Sequence, residues 1–486
     1  MSETSPRYVI IGGGMAGILC GIKLNARGFT NYVIYEKRAG LGGAWHDNRY
    51  PGLTCDVPSH AYTYSFAPNP DWSSFFSPGP EIRDYFERMA REYGVSPHIR
   101  LNSEVTSCVF DEGEGRWRVT LADGRVDVAD AVIAATGVLH HPRMPDIEGL
   151  DSFEGPAFHS AEWDDEAVLA GKRIGVVGTG STGVQIVGAV ADEAASVTHF
   201  VRSVQWMMPG KNYAYTDEQR ARFRADLAAI DEVRYGRYLG FFKRHTTAVL
   251  DVASPEYLEI EGIVQKHLDE KVPDPELRRI LTPDYKVMCK RLVVSSTYYD
   301  VIQRPDVHLA LGPIARAEPN GVRMKDGAFH ELDVLVLATG FKADSFIRPT
   351  TVKGRGGRDL DALWADGPKA YLSISAPGFP NFFFLNGPNA PVGNFSLIDI
   401  AERQWAYVDQ ILIEIEAGRL RHAAAKDEAL VAYEAARKKA ASTTVFASGC
   451  SSWYVGPNGE PRGWPWSYDV FLERMTAPDW AHYDVS

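Results

Sequence analysis

A chain of 486 residues has the length of roughly three units at about 150 residues each, enough to bury substantial cores. Hydrophobic residues at 45% and charged residues at 23% are ordinary globular proportions, which argues against a disordered or membrane-embedded protein. The net charge of -12 leaves no basic stripe for neutralising phosphates, so no nucleic-acid partner is expected.

The five cysteines, Cys20, Cys55, Cys108, Cys289 and Cys450, are scattered without C-x-x-C or zinc-like spacing. Neither a disulfide framework nor a metal site is expected, and a reducing cytoplasm fits this usage. The apolar run from Tyr8 to Leu24 lacks a basic leader and is interrupted by Gly12-Gly13-Gly14, so it reads as strand, turn and helix. No later segment offers about 18 consecutive apolar residues, and the tail 477–486 is polar, so no membrane anchor is expected.

In chain order, the first predicted unit is the strand Tyr8-Val-Ile-Ile-Gly12, followed by a glycine turn and a helical pattern. Gly12-x-Gly14-x-x-Gly17 has the spacing that lets backbone N–H groups approach a pyrophosphate, and Glu36, 24 residues after Gly12, can accept bonds from a ribose hydroxyl. A strand closes this unit at Asp130-Ala-Val-Ile-Ala-Ala-Thr-Gly137, and the proline-rich stretch 140–145 reads as a linker.

The pattern then repeats, with Arg173-Ile-Gly-Val-Val-Gly178, the fingerprint Gly178-x-Gly180-x-x-Gly183, and a closing strand Asp333-Val-Leu-Val-Leu-Ala-Thr-Gly340. Here the position 24 residues after the first glycine is Arg202, so the sign is reversed relative to Glu36. A cation suits the 2′-phosphate of NADP, whereas a carboxylate repels it. From about Thr216 to Leu281 the composition is rich in Ala, Glu, Arg and Leu, which predicts helices inserted into the second unit, able to roof a substrate cleft. After Gly340 the chain is expected to return to the first unit, with Phe382-Phe383-Phe384 as a buried strand.

These features predict an α/β protein with two Rossmann-like dinucleotide-binding domains and a helical insertion in the second. The first domain takes residues 1–140 and 341–486, the second 150–209 and 286–340, and the insertion 210–285. One FAD site and one NADPH site is the economical assignment. Without a paired redox dithiol to receive electrons, O2 is the expected acceptor.

Two longer patterns are more specific. Phe153-x-Gly155-x-x-x-His159-x-x-x-Trp163-Asp164 and Gly42-Gly43-x-Trp45-x-x-x-x-Tyr50-Pro51-Gly52-x-x-x-Asp56 are both complete. Together with the two fingerprints they resemble the type I Baeyer-Villiger monooxygenases, class B flavoprotein monooxygenases, over nearly the whole chain. Trp163 is similar to that branch, where related heteroatom-oxidising enzymes place tyrosine.

The resemblance implies an enzyme that uses FAD, NADPH and O2 to convert a ketone to an ester or lactone through a C4a-peroxyflavin. It implies that Arg291 stabilises a peroxide anion, that Asp56 orients this guanidinium, and that Lys290 joins Arg202 on the 2′-phosphate. The cofactor-binding set so expected is Gly12, Gly14, Gly17, Glu36, Gly43, Trp45, Asp56 and Tyr62 on one side. On the other it is Gly178, Thr179, Gly180, Ser181, Gly183, Arg202, Ser203, Lys290, Arg291 and Trp453. Ser452-Trp453-Tyr454, followed by Gly456-Pro457-Asn458-Gly459, resembles a loop that closes over bound NADP. The downstream stretch Arg462-Gly-Trp-Pro-Trp466 departs from the family pattern. His159 is expected to serve as a linker element and not as a general base. Oxidation of sulfur or nitrogen, and a redox-sensing flavoprotein without oxygenation, stay open as alternatives. The sequence names neither the ketone nor an oligomeric state.

Overall fold

Four consecutive buried apolar residues make β1 (Tyr8–Ile11), the composition of a strand covered on both faces. The computed structural model describes residues 5–391, 393–456 and 458–486, so Pro457 of the glycine-rich turn lies outside the described residues. From β1 the chain turns through Gly12 and Gly14 into α1 (Met15–Ala26), and β2 (Tyr32–Tyr35) returns parallel to β1 with Tyr8 opposite Tyr32. β3 (Ile99–Arg100) and β4 (Ala131–Ala134) extend the same parallel sheet. Between them, the strands Val105–Asp111, Arg116–Leu121 and Val126–Ala129 form hairpins joined by Thr351–Lys353.

The second unit repeats this plan. Its elements are β5 (Ala157–His159), β6 (Arg173–Val177), α2 (Ser181–Val190), β7 (Ser196–Val201), β8 (Val307–Leu311) and β9 (Val334–Leu337). The order β3-β2-β1-β4 in the first sheet is matched by β8-β7-β6-β9 in the second. The fifth position differs. In the first sheet it is taken by β10 (Phe382–Phe384), so the chain does come back after the second unit, and in the second by β5. The protein is thus α/β with two Rossmann-like parallel sheets.

The two glycine turns are closed by the same steric requirement. A Cβ on Gly17 would lie 1.9 Å from the Gly12 carbonyl oxygen, and one on Gly183 would lie 1.9 Å from that of Gly178. Only a bare backbone lets each helix start this close to its strand.

Between β7 and β8 the described chain is mainly helical, with α3 (Asp217–Ala225), α4 (Leu239–Leu250), α5 (Pro255–Lys271) and α6 (Pro275–Leu281). The starts are set locally. Thr216 and Gln219 form a reciprocal capping box ahead of α3, and Ser254 and Asp274 accept from the first-turn N–H groups of α5 and α6. A long helix, α7 (Leu397–Glu416), packs against α1 and is tied to it by Arg27, whose Nε donates to Asp409 Oδ1 at 2.9 Å.

One expectation is overturned. Cys289 and Cys450, 161 residues apart, are joined as a disulfide, while Cys20, Cys55 and Cys108 are free and buried. Sequence spacing carries no sign of this pair because the fold alone brings the segment before Arg291 beside the segment before Trp453.

Candidate active site

At the first glycine turn, both oxygens of Glu36 are held by backbone. Gly13 N donates to Oε2 at 2.6 Å and Arg38 N to Oε1 at 2.8 Å. Burial raises this carboxyl's pKa and the two N–H bonds oppose the shift. Each oxygen keeps a lone pair for a further donor. Glu36 faces a cavity of about 420 Å3 that is also lined by Gly12, Gly14, Gly43, Trp45, Asp56 and Tyr62. Gly17 lies beneath it, against the Gly12 carbonyl. Trp45 Nε1 donates to the Tyr62 hydroxyl at 3.0 Å, which fixes the two rings on the cavity wall.

The second turn collects the other predicted group. Thr179 Oγ1 donates to the Ser203 carbonyl at 2.8 Å, and Lys290 Nζ donates to Ser203 Oγ at 3.0 Å. Lys290 also sits 4.2 Å over the Tyr285 ring. Its pKa is lowered, chiefly by burial, with Asp284 raising it and the nearby charge of exposed Arg202 lowering it. Two cations that repel one another in this way suit a doubly charged anion between them. Around Gly180, nothing lies within 4 Å of where a Cβ would stand, so the N-terminus of α2 is open to a phosphate. Both turns therefore fit dinucleotides.

Tyr50-Pro51-Gly52 joins the two units. Tyr50 donates its hydroxyl proton to Gln185 Oε1 at 3.0 Å, and Gln185 Nε2 donates to the Thr54 carbonyl at 3.1 Å. A Cβ on Gly52 would stand 2.9 Å from the Gln185 carbonyl oxygen, so α2 packs directly on this turn. Ser181 and Gln185 consequently line the same large cavity as Glu36.

Arg291 and Asp56 meet where that cavity adjoins a smaller one of about 80 Å3, and both residues line both spaces. The pair is a two-point fork, Nε to Oδ2 at 2.9 Å and Nη2 to Oδ1 at 2.8 Å. The charge of Asp56 holds the guanidinium pKa above its ordinary value despite burial, and the Tyr454 hydroxyl, in contact with the same guanidinium, adds to this. Gly393 makes room for that hydroxyl, since a Cβ there would lie 2.1 Å from Tyr454 Oη. Trp453 stacks on Tyr454 with ring centroids 4.2 Å apart and lines the larger cavity.

Sequence reasoning missed Tyr454 as a partner of Arg291, and it missed the wall of the smaller cavity. That wall includes Phe241, Phe242, His245 and Val249 of α4. The spacing of Phe241, His245 and Val249 places them on one helix face and was the available signal.

The long signature motif lies away from both cavities. His159 is buried in β5, its Nδ1 accepts from Ala161 N at 3.1 Å, and burial lowers its pKa. The Trp163 carbonyl accepts from Arg49 Nη2 at 3.2 Å, linking the motif to the Tyr50 turn. His140 and His141 each meet a backbone carbonyl, of Phe346 at 2.7 Å and Arg348 at 2.8 Å.

Two nucleotide turns, the second reaching the cavity of the first through Ser181 and Thr182, with a fixed cation at its end, define a flavin- and nicotinamide-dependent oxidoreductase. The flavin-binding monooxygenase-like family matches residues 5–225. An uncharacterized monooxygenase of Mycobacterium tuberculosis is 44% identical over 467 residues, covering 96% of this chain and 93% of its own. A Baeyer-Villiger monooxygenase of Streptomyces coelicolor is 36% identical over 483 residues, covering 99% and 92%. The crystal structure of cyclohexanone monooxygenase from Rhodococcus sp. Phi1 bound to NADP+ superposes with a TM-score of 0.87 at 30% identity, covering 100% of both chains. The chain belongs to the Baeyer-Villiger monooxygenases, FAD-containing, NADPH-dependent members of the flavin-binding monooxygenase family.

Proposed function

We propose that this enzyme inserts one oxygen atom of O2 beside the carbonyl of a small uncharged ketone, yielding an ester or lactone, in the space where the two cavities meet. The observation that carries this is the Arg291–Asp56 fork at that junction, a fixed positive charge reached from both sides. When bound, FAD reduced by NADPH supplies the activated oxygen.

The residues divide the remaining work. Glu36 accepts ribose hydroxyls at the first turn, and the backbone N–H groups around Gly12, Gly14 and Gly17 receive the pyrophosphate, with Gly43, Trp45 and Tyr62 shaping the pocket beyond it. Gly178, Gly180, Gly183 and Ser181 do the same at the second turn, while Thr179, Arg202, Ser203 and Lys290 hold the 2′-phosphate. Arg291 stabilises negative charge that develops on oxygen beside it, and Asp56 fixes the plane of the guanidinium. Trp453 covers the nucleotide end of the cavity. No helix among the described residues is long and apolar enough to cross a membrane. A cytoplasmic location is tested by cell fractionation, because the Cys289–Cys450 disulfide runs against the reducing compartment that the cysteine spacing suggested.

The test is to supply the FAD-loaded protein with NADPH, 18O2 and a panel of cyclic, aromatic and long-chain ketones. One labelled oxygen per ester or lactone is the expected outcome. NADPH oxidation that yields no labelled ester, or that yields only sulfoxide from added sulfides, overturns the reading.

A further inference from the structure

The smaller cavity is bounded mostly by apolar groups, among them Phe242, Val249, Leu292 and Phe446, with the Arg291–Asp56 fork at one side. Lys290, Asn394 and Tyr454 bring polar groups to the same space, and His245 is the polar residue that α4 contributes. It projects from α4 into this apolar wall, and its Nδ1 is buried with no hydrogen-bond partner. A buried imidazole nitrogen left without a partner costs free energy that an apolar residue at the same place would not. Its nearest ring neighbour, Phe241 at 6.1 Å, offers no hydrogen bond.

The electrostatic surroundings decide which form the ring takes. Burial, followed by the positive charge of Arg291, lowers the His245 pKa to about 4, with the opposing effect of Asp56 smaller. At neutral pH the ring therefore carries one N–H donor and one bare acceptor nitrogen and no charge. Such a group matches a hydroxyl, which both donates and accepts, while the two cations lining the cavity are engaged elsewhere, Arg291 by Asp56 and Lys290, in the proposed function, by the 2′-phosphate. The cavity of about 80 Å3 holds on the order of five to eight water-sized volumes. That is room for a fragment near the size of a single six-membered ring.

We infer that His245 is a specificity-determining residue, and that the preferred substrates are uncharged ketones of about single-ring size carrying a hydroxyl that hydrogen-bonds to its imidazole. The inference rests on the proposed ketone oxygenation at Arg291 for the placement of the carbonyl end. It adds the second contact point, at the insertion side. A site built to bond a substrate hydroxyl discriminates strongly against the analogue that lacks it, because the ring is then left unpaired. Replacing the imidazole by an apolar side chain removes that penalty and admits the unsubstituted ketone instead.

The experiment uses the FAD-loaded enzyme and compares cyclohexanone with 3- and 4-hydroxycyclohexanone, in the wild type, His245→Leu and His245→Gln. Binding is read in the oxidised enzyme with NADP+ present, from the change in flavin absorbance on titration, and turnover from ester product. The wild type is expected to favour at least one hydroxyketone by 10-fold or more in Kd and in kcat/KM. His245→Leu should erase or reverse that preference while still oxidising cyclohexanone, and His245→Gln, which keeps a donor and an acceptor, should restore part of it. Equal preference in the wild type and His245→Leu overturns the inference, as does a wild type indifferent to the hydroxyl. If instead the binding preference and its loss are seen but no ester forms with any ketone, the oxygenation reading fails and the assignment of His245 stands. Should His245→Leu not fold, His245→Phe, which also lacks a donor and an acceptor, takes its place under the same criteria.

Discussion

Substituting Arg291 by lysine keeps a positive charge at the cavity junction and removes the fork. In the native pair two charge-assisted bonds of 2.9 and 2.8 Å run to separate oxygens of Asp56. A lysine ammonium is a single point that can satisfy one of them at best, so at least one such bond is lost. At about 1.5 to 3 kcal/mol for a bond to a charged group, this corresponds to roughly 10- to 150-fold in ester formation. Arg291→Ala removes the charge as well, and loss of one preorganised donor to a developing oxyanion costs about 100- to 1,000-fold. The assay follows NADPH consumption, ester and hydrogen peroxide side by side. NADPH oxidation should persist in part in both variants, because the Arg202–Lys290 side of the nucleotide site is untouched, and the missing ester should reappear as peroxide. Ester formation by Arg291→Lys within about threefold of the wild type, on the same free-energy scale, would show that fork geometry is irrelevant and refute the argument.

Arg202→Ala should raise the KM for NADPH roughly 10- to 150-fold while leaving that for NADH nearly unchanged, one charge-assisted bond being lost only where a 2′-phosphate exists. Steady-state kinetics with both nucleotides checks this. His199, fully buried beneath the second glycine turn, meets the Gly178 carbonyl at 2.8 Å and the Tyr298 hydroxyl at 3.0 Å, and burial depresses its pKa to about 4. Because the unfolded chain binds this proton from about pH 6.5 downward and the folded one only near 4, stability should fall as pH drops through that window, by on the order of 3 kcal/mol from this group. Denaturant titrations of the wild type and His199→Gln at pH 7 and pH 4.5 should show a smaller acid loss in the variant. Cys450→Ser opens a cross-link spanning 161 residues, for which the chain-entropy relation gives about 5 kcal/mol at most. Its thermal midpoint should drop, and reducing agent should lower the wild type but not the variant.

The doubled glycine unit was legible because its constraints are local. Gly12 and Gly178 must turn, Gly17 and Gly183 must lie against backbone, and β1, β4 and β9 are short runs of buried apolar residues, with Ile174–Val176 the buried centre of β6. The change from Glu36 to Arg202 is visible in the sequence for the same reason, since each directly follows the second strand of its unit. What stayed hidden depends on segments far apart in the chain meeting in space. His245 comes from a helix that meets Leu292 and Phe446 around a cavity the fold alone assembles, and Tyr454 reaches Arg291 only because Gly393 leaves space. The disulfide is the same kind of fact. The long signature lies apart from both cavities, with His159 buried in β5. What its pattern could not reveal is that β5 fills the edge position that β10 fills in the other sheet.

The cross-link also limits how the C-terminal segment can move. Trp453 follows Cys450 by three residues, and three residues fully extended span about 10 to 11 Å. With Cys289 anchored two residues before Arg291, the indole is on a short tether whose fixed end belongs to the catalytic segment itself. Under the proposed role of Trp453 over the nucleotide, any displacement of the ring is a rotation about this pivot within one tether length. Cutting the bond moves the nearest preceding fixed point back from Cys450 to buried Phe446, seven residues before Trp453, which lengthens the tether. The reach of Trp453 is thus set by whether two sulfurs that line neither cavity are joined.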